Sequence, residues 1–236
     1  MSYLVASAER TDLAALRDQA PQRWRELRRF NAPVQLGVAA AHDVLEHARN
    51  RSEIALVALA PCQSGSPEIH RWTGVAAVGG QVRINPTHTL HMVDNLTLSV
   101  LSIALGDHAW GISLGGTPGM VWVGLELVGE RIDEHREMLV VAGDQTSAEL
   151  AMSPCGIALL FARERTPYGP LGRAVRLVAV ERRRSITPAV PVSFAAAGIP
   201  AMLAALGAQP PGRFAYVVPD DHGDGVDHIS VVWELG

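Results

Sequence analysis

The sequence contains no lysine: all 20 of its basic residues are arginine. That excludes chemistry built on a side-chain amine, such as Schiff-base formation or a phosphate-loop lysine. Cysteine is scarce, with 2 in the chain, Cys62 and Cys155. Two cannot make a disulfide scaffold, and both are expected to be buried free thiols. There is no excess of positive charge either. The net charge of −4 excludes a nucleic-acid binder that relies on a basic face. No apolar run approaches the roughly 18 residues of a membrane-crossing helix, so no membrane association is expected. The first residues, MSYLVASAERTDL, turn charged after a few apolar positions. They read as a first strand rather than a signal peptide, which points to the cytoplasm.

What is present is enough for a well-packed core. The 236 residues are 48% hydrophobic and 19% charged, which excludes global disorder and suits one domain or a compact two-lobed one. Residues 2–8 read as a strand. Residues 11–29 are arginine-rich, with Leu13, Leu16, Trp24 and Leu27 at helical spacing. Pro33 opens a helix through Val34, Val38, Ala41 and Leu45. Residues 54–60 (IALVALA) are a strand buried on both faces. Asn85 and Pro86 are expected to start a helix that runs past Ile103 and stops at Gly106. Residues 110–115 (WGISLG), 137–143, 157–163 and 174–182 read as strands, the last two as an antiparallel hairpin. Residues 120–132 read as a helix. A proline-punctuated linker at 186–192 leads to a helix (195–206) and strands at 214–218 and 229–234. Alternating strands and helices indicate an α/β fold.

The central stretch orders a helix, a strand, a tight glycine turn (Gly115, Gly116, Thr117, Pro118, Gly119) and a second helix. Such an elbow presents a side chain at a helix N-terminus, yet here no serine or cysteine stands at its tip. The run from Asn85 to Thr146, with Asn95-Leu96, Ser102-Ile103, Gly106, the strand at 139–144 and SPCGIALLFARE at 153–164, resembles the N-terminal half of a β-ketoacyl synthase of the thiolase-like superfamily. The resemblance covers roughly residues 30–184. It implies an α/β, truncated thiolase-like layered fold, a mixed sheet covered by helices. Residues 1–184 would form the ketosynthase-like domain, and residues 185–236 an abbreviated helix-plus-hairpin segment on the same domain.

By the same resemblance, Gly116 occupies the position of the family's nucleophilic cysteine, so no catalytic residue is expected there. The family's histidine pair has no convincing counterpart either, His222 and His228 included. The resemblance thus implies a shortened chain-length-factor subunit of a type II polyketide synthase, of the polyene type. Its partners would be a catalytic ketosynthase, in a heterodimer, and an acyl carrier protein bearing the growing chain. No cofactor, metal, nucleic acid or membrane is implied. Such a subunit closes the far end of an acyl tunnel and so sets product length. The tunnel or gate candidates are Thr87, His88, Leu90, His91, Met92, Val93 and Leu96. The dimer-interface candidates are Asp94, Asn95, Trp110, Gly111, Ile112, Ser113 and Leu114.

Alternatives remain. A stand-alone acyl-transfer enzyme would need an unusual nucleophile, Cys155 or Thr117. An acyl or carrier-protein binding module would need neither. Arg182, Arg183 and Arg184 could dock an acidic carrier protein, or form a solvated strand end. Residues 220–228 (DDHGDGVDH) are rich in carboxylates and imidazoles, but their spacing fits a solvated hairpin loop better than a metal site.

Overall fold

Strand-forming runs in this chain come in two kinds, and the fold separates them. The computed structural model describes residues 1–19, 21–59, 74–80, 95–106, 110–115, 120–144, 154–164, 169–185, 198–221 and 226–236. Eight strands form one mixed sheet in the order β3-β2-β4-β5-β1-β6-β8-β7. They are β1 (Ser2–Arg10), β2 (Ile54–Leu59), β3 (Trp110–Leu114), β4 (Glu137–Asp144), β5 (Cys155–Ala162), β6 (Val175–Ser185), β7 (Gly212–Asp221) and β8 (Val226–Leu235). The helices are α1 (Leu13–Gln19), α2 (Pro21–Leu27), α3 (Ala32–Val44), α4 (Leu96–Leu105), α5 (Met120–Arg131) and α6 (Gly198–Gly207).

The continuous apolar runs of β2, β4 and β5 are buried at every position, as expected where helices cover both faces. Alternate residues serve the two faces. Ile54, Leu56, Leu139, Val141, Ala158 and Leu160 meet α3 and α4. Val57, Leu59, Val140, Leu159 and Phe161 meet α5. Strands β2, β3 and β4 are parallel, and β5 is antiparallel to both β4 and β1. Helix α3 starts where expected. The Asn31 side chain accepts the Val34 N–H at 3.3 Å and Pro33 sits in the first turn, which satisfies an otherwise orphan donor. The helix lies directly on backbone at Gly143 and Gly156. A Cβ on the first would fall into Pro33, and on the second into Leu36 and Gly37.

Strands β6, β8 and β7 are antiparallel throughout and are covered on one face. There Val175, Leu177, Val231 and Trp233 join α6 through Ile199, Met202 and Leu206. On the other face Arg213, Ala215, Val217, Ser230 and Glu181 border an open concavity of about 550 Å³. The sheet halves meet where β1 pairs with β6 at Ser2↔Leu177 and Tyr3↔Arg176.

Two expectations change. The hairpin between residues 157–163 and 174–182 does not form, because β1 lies between β5 and β6 and pairs with both. A turn signal marks a reversal of direction, but it cannot reveal a distant strand that takes the place between. The described helix through Ile103 starts at Leu96, with Asn95 at its N-cap position (φ −90°, ψ 10°), and ends at Gly106 (φ 77°), while the start expected at Asn85 and Pro86 lies outside the described residues. Asn favours helix boundaries over interiors because its side chain competes for backbone groups. Finally, the expected loop at 220–228 is largely strand, since Asp220 pairs with Asp227 and Asp221 with Val226. Only residues 222–225, with His222, lie between the strands, outside the described residues.

Candidate site at the carboxyl end of the parallel strands

In open α/β sheets, ligands bind beyond the carboxyl ends of parallel strands. Here β2, β3 and β4 end on the same side at Leu59, Leu114 and Asp144. The first turn of α5 places Val121 and Trp122 in the core. At Gly124 α5 approaches the sheet with room for a side-chain carbon, since a Cβ there would make ordinary contacts of 3.4 Å with Leu59 Cδ2 and 3.5 Å with Val140 Cγ1. Trp122 tilts against Tyr216 of β7, ring centroids 6.3 Å apart. Helix α5 thereby ties the parallel strands to the C-terminal strands, and Arg182 of β6 donates to Glu126 of α5 at 3.2 Å.

Cys155 opens β5 directly opposite Asp144, at the carboxyl end of β4. Its chemistry is that of an inert thiol. Burial, then the charges of Asp144 and Glu9, push the Cys155 thiol up to about 12, against a smaller downward pull from the Asp144 backbone N–H. A reactive cysteine needs the reverse environment, electropositive and partly open.

At the opposite end, Glu137 is 2% exposed at the start of β4. Its carboxylate accepts the Arg49 backbone N–H at 3.0 Å. Burial raises its pKa above the ordinary carboxylate range, while the N–H groups of Arg49 and Asn50 pull it back. This clamp holds the turn before β2 against β4. The sequence signal was an acid at the head of the apolar run EMLVVAG.

The proposed interface residues divide in two. Trp110, Gly111, Ile112, Ser113 and Leu114 are β3 itself, an edge strand hydrogen-bonded to β2 on one side. All five are half-buried. Trp110, Ile112 and Leu114 rest on the core, and Trp110 stacks on His135 at 5.6 Å between centroids. Asn95 and Leu96 stand together at the start of α4. Gly116 and Thr117 at the elbow, Asp94, and the gate candidates Thr87, His88, Leu90, His91, Met92 and Val93 lie outside the described residues, as does Cys62. The gate candidate that is described, Leu96, packs beside the α3 core cluster.

No family model and no curated protein matches this sequence. Solved structures do match. One is the type II polyketide synthase complex AntDE:AntF, in which an acyl-carrier protein is bound to its ketosynthase; the TM-score is 0.66 at 10% identity, over 99% of this chain and 99% of that one. The fold is that of the ketosynthases. The ishigamide ketosynthase/chain length factor matches with TM-score 0.64 at 14% identity, over 94% of this chain and 85% of that chain. The ketosynthase ApeO in complex with its chain length factor ApeC, from Xenorhabdus doucetiae, gives TM-score 0.55 at 15% identity, over 89% and 80%. The expected α/β thiolase-like layering is therefore correct. Among the described residues no helix is long and apolar enough to cross a membrane.

Proposed function

We propose that this chain is a non-catalytic, chain-length-factor-like subunit that pairs with a ketosynthase and closes its acyl tunnel. The observation that carries the reading is a ketosynthase fold without an activated thiol among the described residues. Gly116 stands at the elbow, and Cys155 is held protonated inside the sheet. A subunit of this kind contributes shape rather than chemistry. Strand β3, an edge strand of the sheet among the described residues, would meet the ketosynthase partner. Residues 87–96 would line the tunnel end. An acyl carrier protein would deliver the growing chain, and a polyene is the product class this reading favours. The buried thiol counts against the alternative in which Cys155 is acylated by a thioester.

Native mass spectrometry of the chain co-expressed with a type II ketosynthase from the same gene neighbourhood tests the pairing. The expected result is a one-to-one complex whose product lengths change when the chain is omitted. A homodimer or monomer that ignores the ketosynthase, with condensation unaffected, would overturn the proposal.

A further inference from the structure

Among the described residues the sheet ends at two strands, β3 and β7. The reading above uses β3 and leaves β7. Edge strands of soluble proteins are normally short, or broken by a bulge, a proline or a central charge, because an open edge pairs with other chains. β7 has little of this protection. It runs for 10 residues and pairs with β8 from Gly212 to Asp221 without a register shift, whereas β1–β5 and β6–β8 each contain one. Its middle, FAYVV from Phe214 to Val218, is uncharged, and its one proline, Pro219, stands near the end. The strand is also firmly held. Phe214, Tyr216 and Val218 pack on the core, and Trp122 of α5 lies against Tyr216. Arg213, Ala215 and Val217 alternate with them on the open face and are exposed.

The charges of β7 select what can pair with it. Its basic residue, Arg213, stands near its start, and the acids Asp220 and Asp221 form its end. Parallel pairing of two copies would set like charges level at both ends. Antiparallel pairing about a two-fold axis sets opposite charges level at both ends at once. The pleat then restricts the register. About an axis perpendicular to the sheet, each residue must stand opposite one of its own face, so one residue meets its own copy. With Val217 on the axis, Ala215 stands opposite Pro219 and Arg213 opposite Asp221, all positions of one face by alternation. We infer that β7 is a self-association edge, at which two copies of this chain pair antiparallel about Val217 and join their eight-stranded sheets into one. A ketosynthase on β3 would occupy the other edge, so the full assembly would hold two of each subunit. Two paired strands bury less than a standard interface, so the contact is weak and concentration-dependent.

The test is sedimentation velocity of the full chain over a concentration series, with and without the ketosynthase. The chain alone should show a monomer–dimer equilibrium, and the complex a step from one of each subunit to two of each. Arg213→Asp should weaken self-association about tenfold and leave ketosynthase pairing unchanged. Adding Asp221→Arg to that variant should restore the dimer. Mild oxidation reads the register. Val217→Cys should give a dimer linked through position 217, since paired residues of antiparallel strands lie within disulfide reach. Arg213→Cys, far from its own copy, should not. Arg213 and Val217 are exposed, so the fold tolerates these changes. A monomer at every concentration, a dimer indifferent to charge reversal, or equal cross-linking at positions 213 and 217 would overturn the inference. Loss of ketosynthase binding by the unmodified chain would overturn the subunit reading alone, because self-association is read on the chain by itself.

Discussion

The two parts of the sheet solve the same problem under different constraints. Strands β2, β4 and β5 are walled in by helices on both faces and spend every side chain on burial. Strands β6, β8 and β7 have helices on one face and alternate. Phe214, Tyr216 and Val218 point to the core side, while Ala215 and Val217 face the open side. Among the described residues the strands of the first part are open only at their ends and along the β3 edge. The second leaves a broad face in water and is held to the first by two β1–β6 pairs, by α5 and by the Arg182–Glu126 contact.

Thiol reactivity gives the largest contrast. At pH 8 a thiol with a pKa near 12 is thiolate in about one molecule in 10,000. Cys155 should therefore be alkylated more than about a thousandfold more slowly than a cysteine placed at Val217, which is 56% exposed. Peptide mapping after iodoacetamide treatment reads each residue separately, and comparable rates would mean that the first part is not closed. Backbone contact comes next. Gly156→Ala drives a methyl group into α3 and should cost about 3 kcal/mol or more, or prevent folding. Gly207→Ala, with a single neighbour 3.8 Å away, should be nearly neutral in the same chemical denaturation. Equal costs would dissolve the comparison.

Glu137 gives an intermediate effect. Glu137→Ala leaves the N–H groups of Arg49 and Asn50 without their acceptor and should cost about 1–3 kcal/mol. Because burial raises its pKa, the folded state holds the Glu137 proton more tightly than the unfolded chain. That contribution is fully present below the ordinary carboxylate value and is lost as pH rises through the raised one. Glu137→Gln should remove this decline from the stability profile just above the ordinary carboxylate range. A profile identical to wild type would show the clamp is not pH-linked. The smallest effect belongs to the open face, where Val217→Ser should stay within about 0.5 kcal/mol. A thermal unfolding shift larger than that would mean the face is covered in solution.

The difference between the two parts also explains what the sequence made legible. Runs such as IALVAL and EMLVVAG have one reading, a doubly buried strand, and they put β2 and β4 in place. WGISL and the elbow after it located β3 and the start of α5. The alternating C-terminal strands were legible as a hairpin, although their ends extend further than the turn-forming residues indicated. What periodicity could not show was adjacency. β1 enters between β5 and β6 from the other end of the chain, a long-range pairing that leaves no local mark. By resemblance alone Gly116 was expected to stand where the nucleophile would, and that position lies outside the described residues. The Glu137 clamp becomes visible once β4 and the turn before β2 are assembled, because it draws residues from separate elements.

The central position of β1 also bears on how the chain is made. Ser2–Arg10 is synthesised well before its partners in β5 and β6. At about 5–20 residues per second, roughly seven to thirty seconds separate Arg10 from its partner Gly156 on the ribosome. Over that interval YLVASA is an unpaired strand with two open edges, the kind of segment that chaperones hold and that aggregation captures. Yield in the cell would then be governed by how long the nascent chain waits, more than by the stability of the finished sheet.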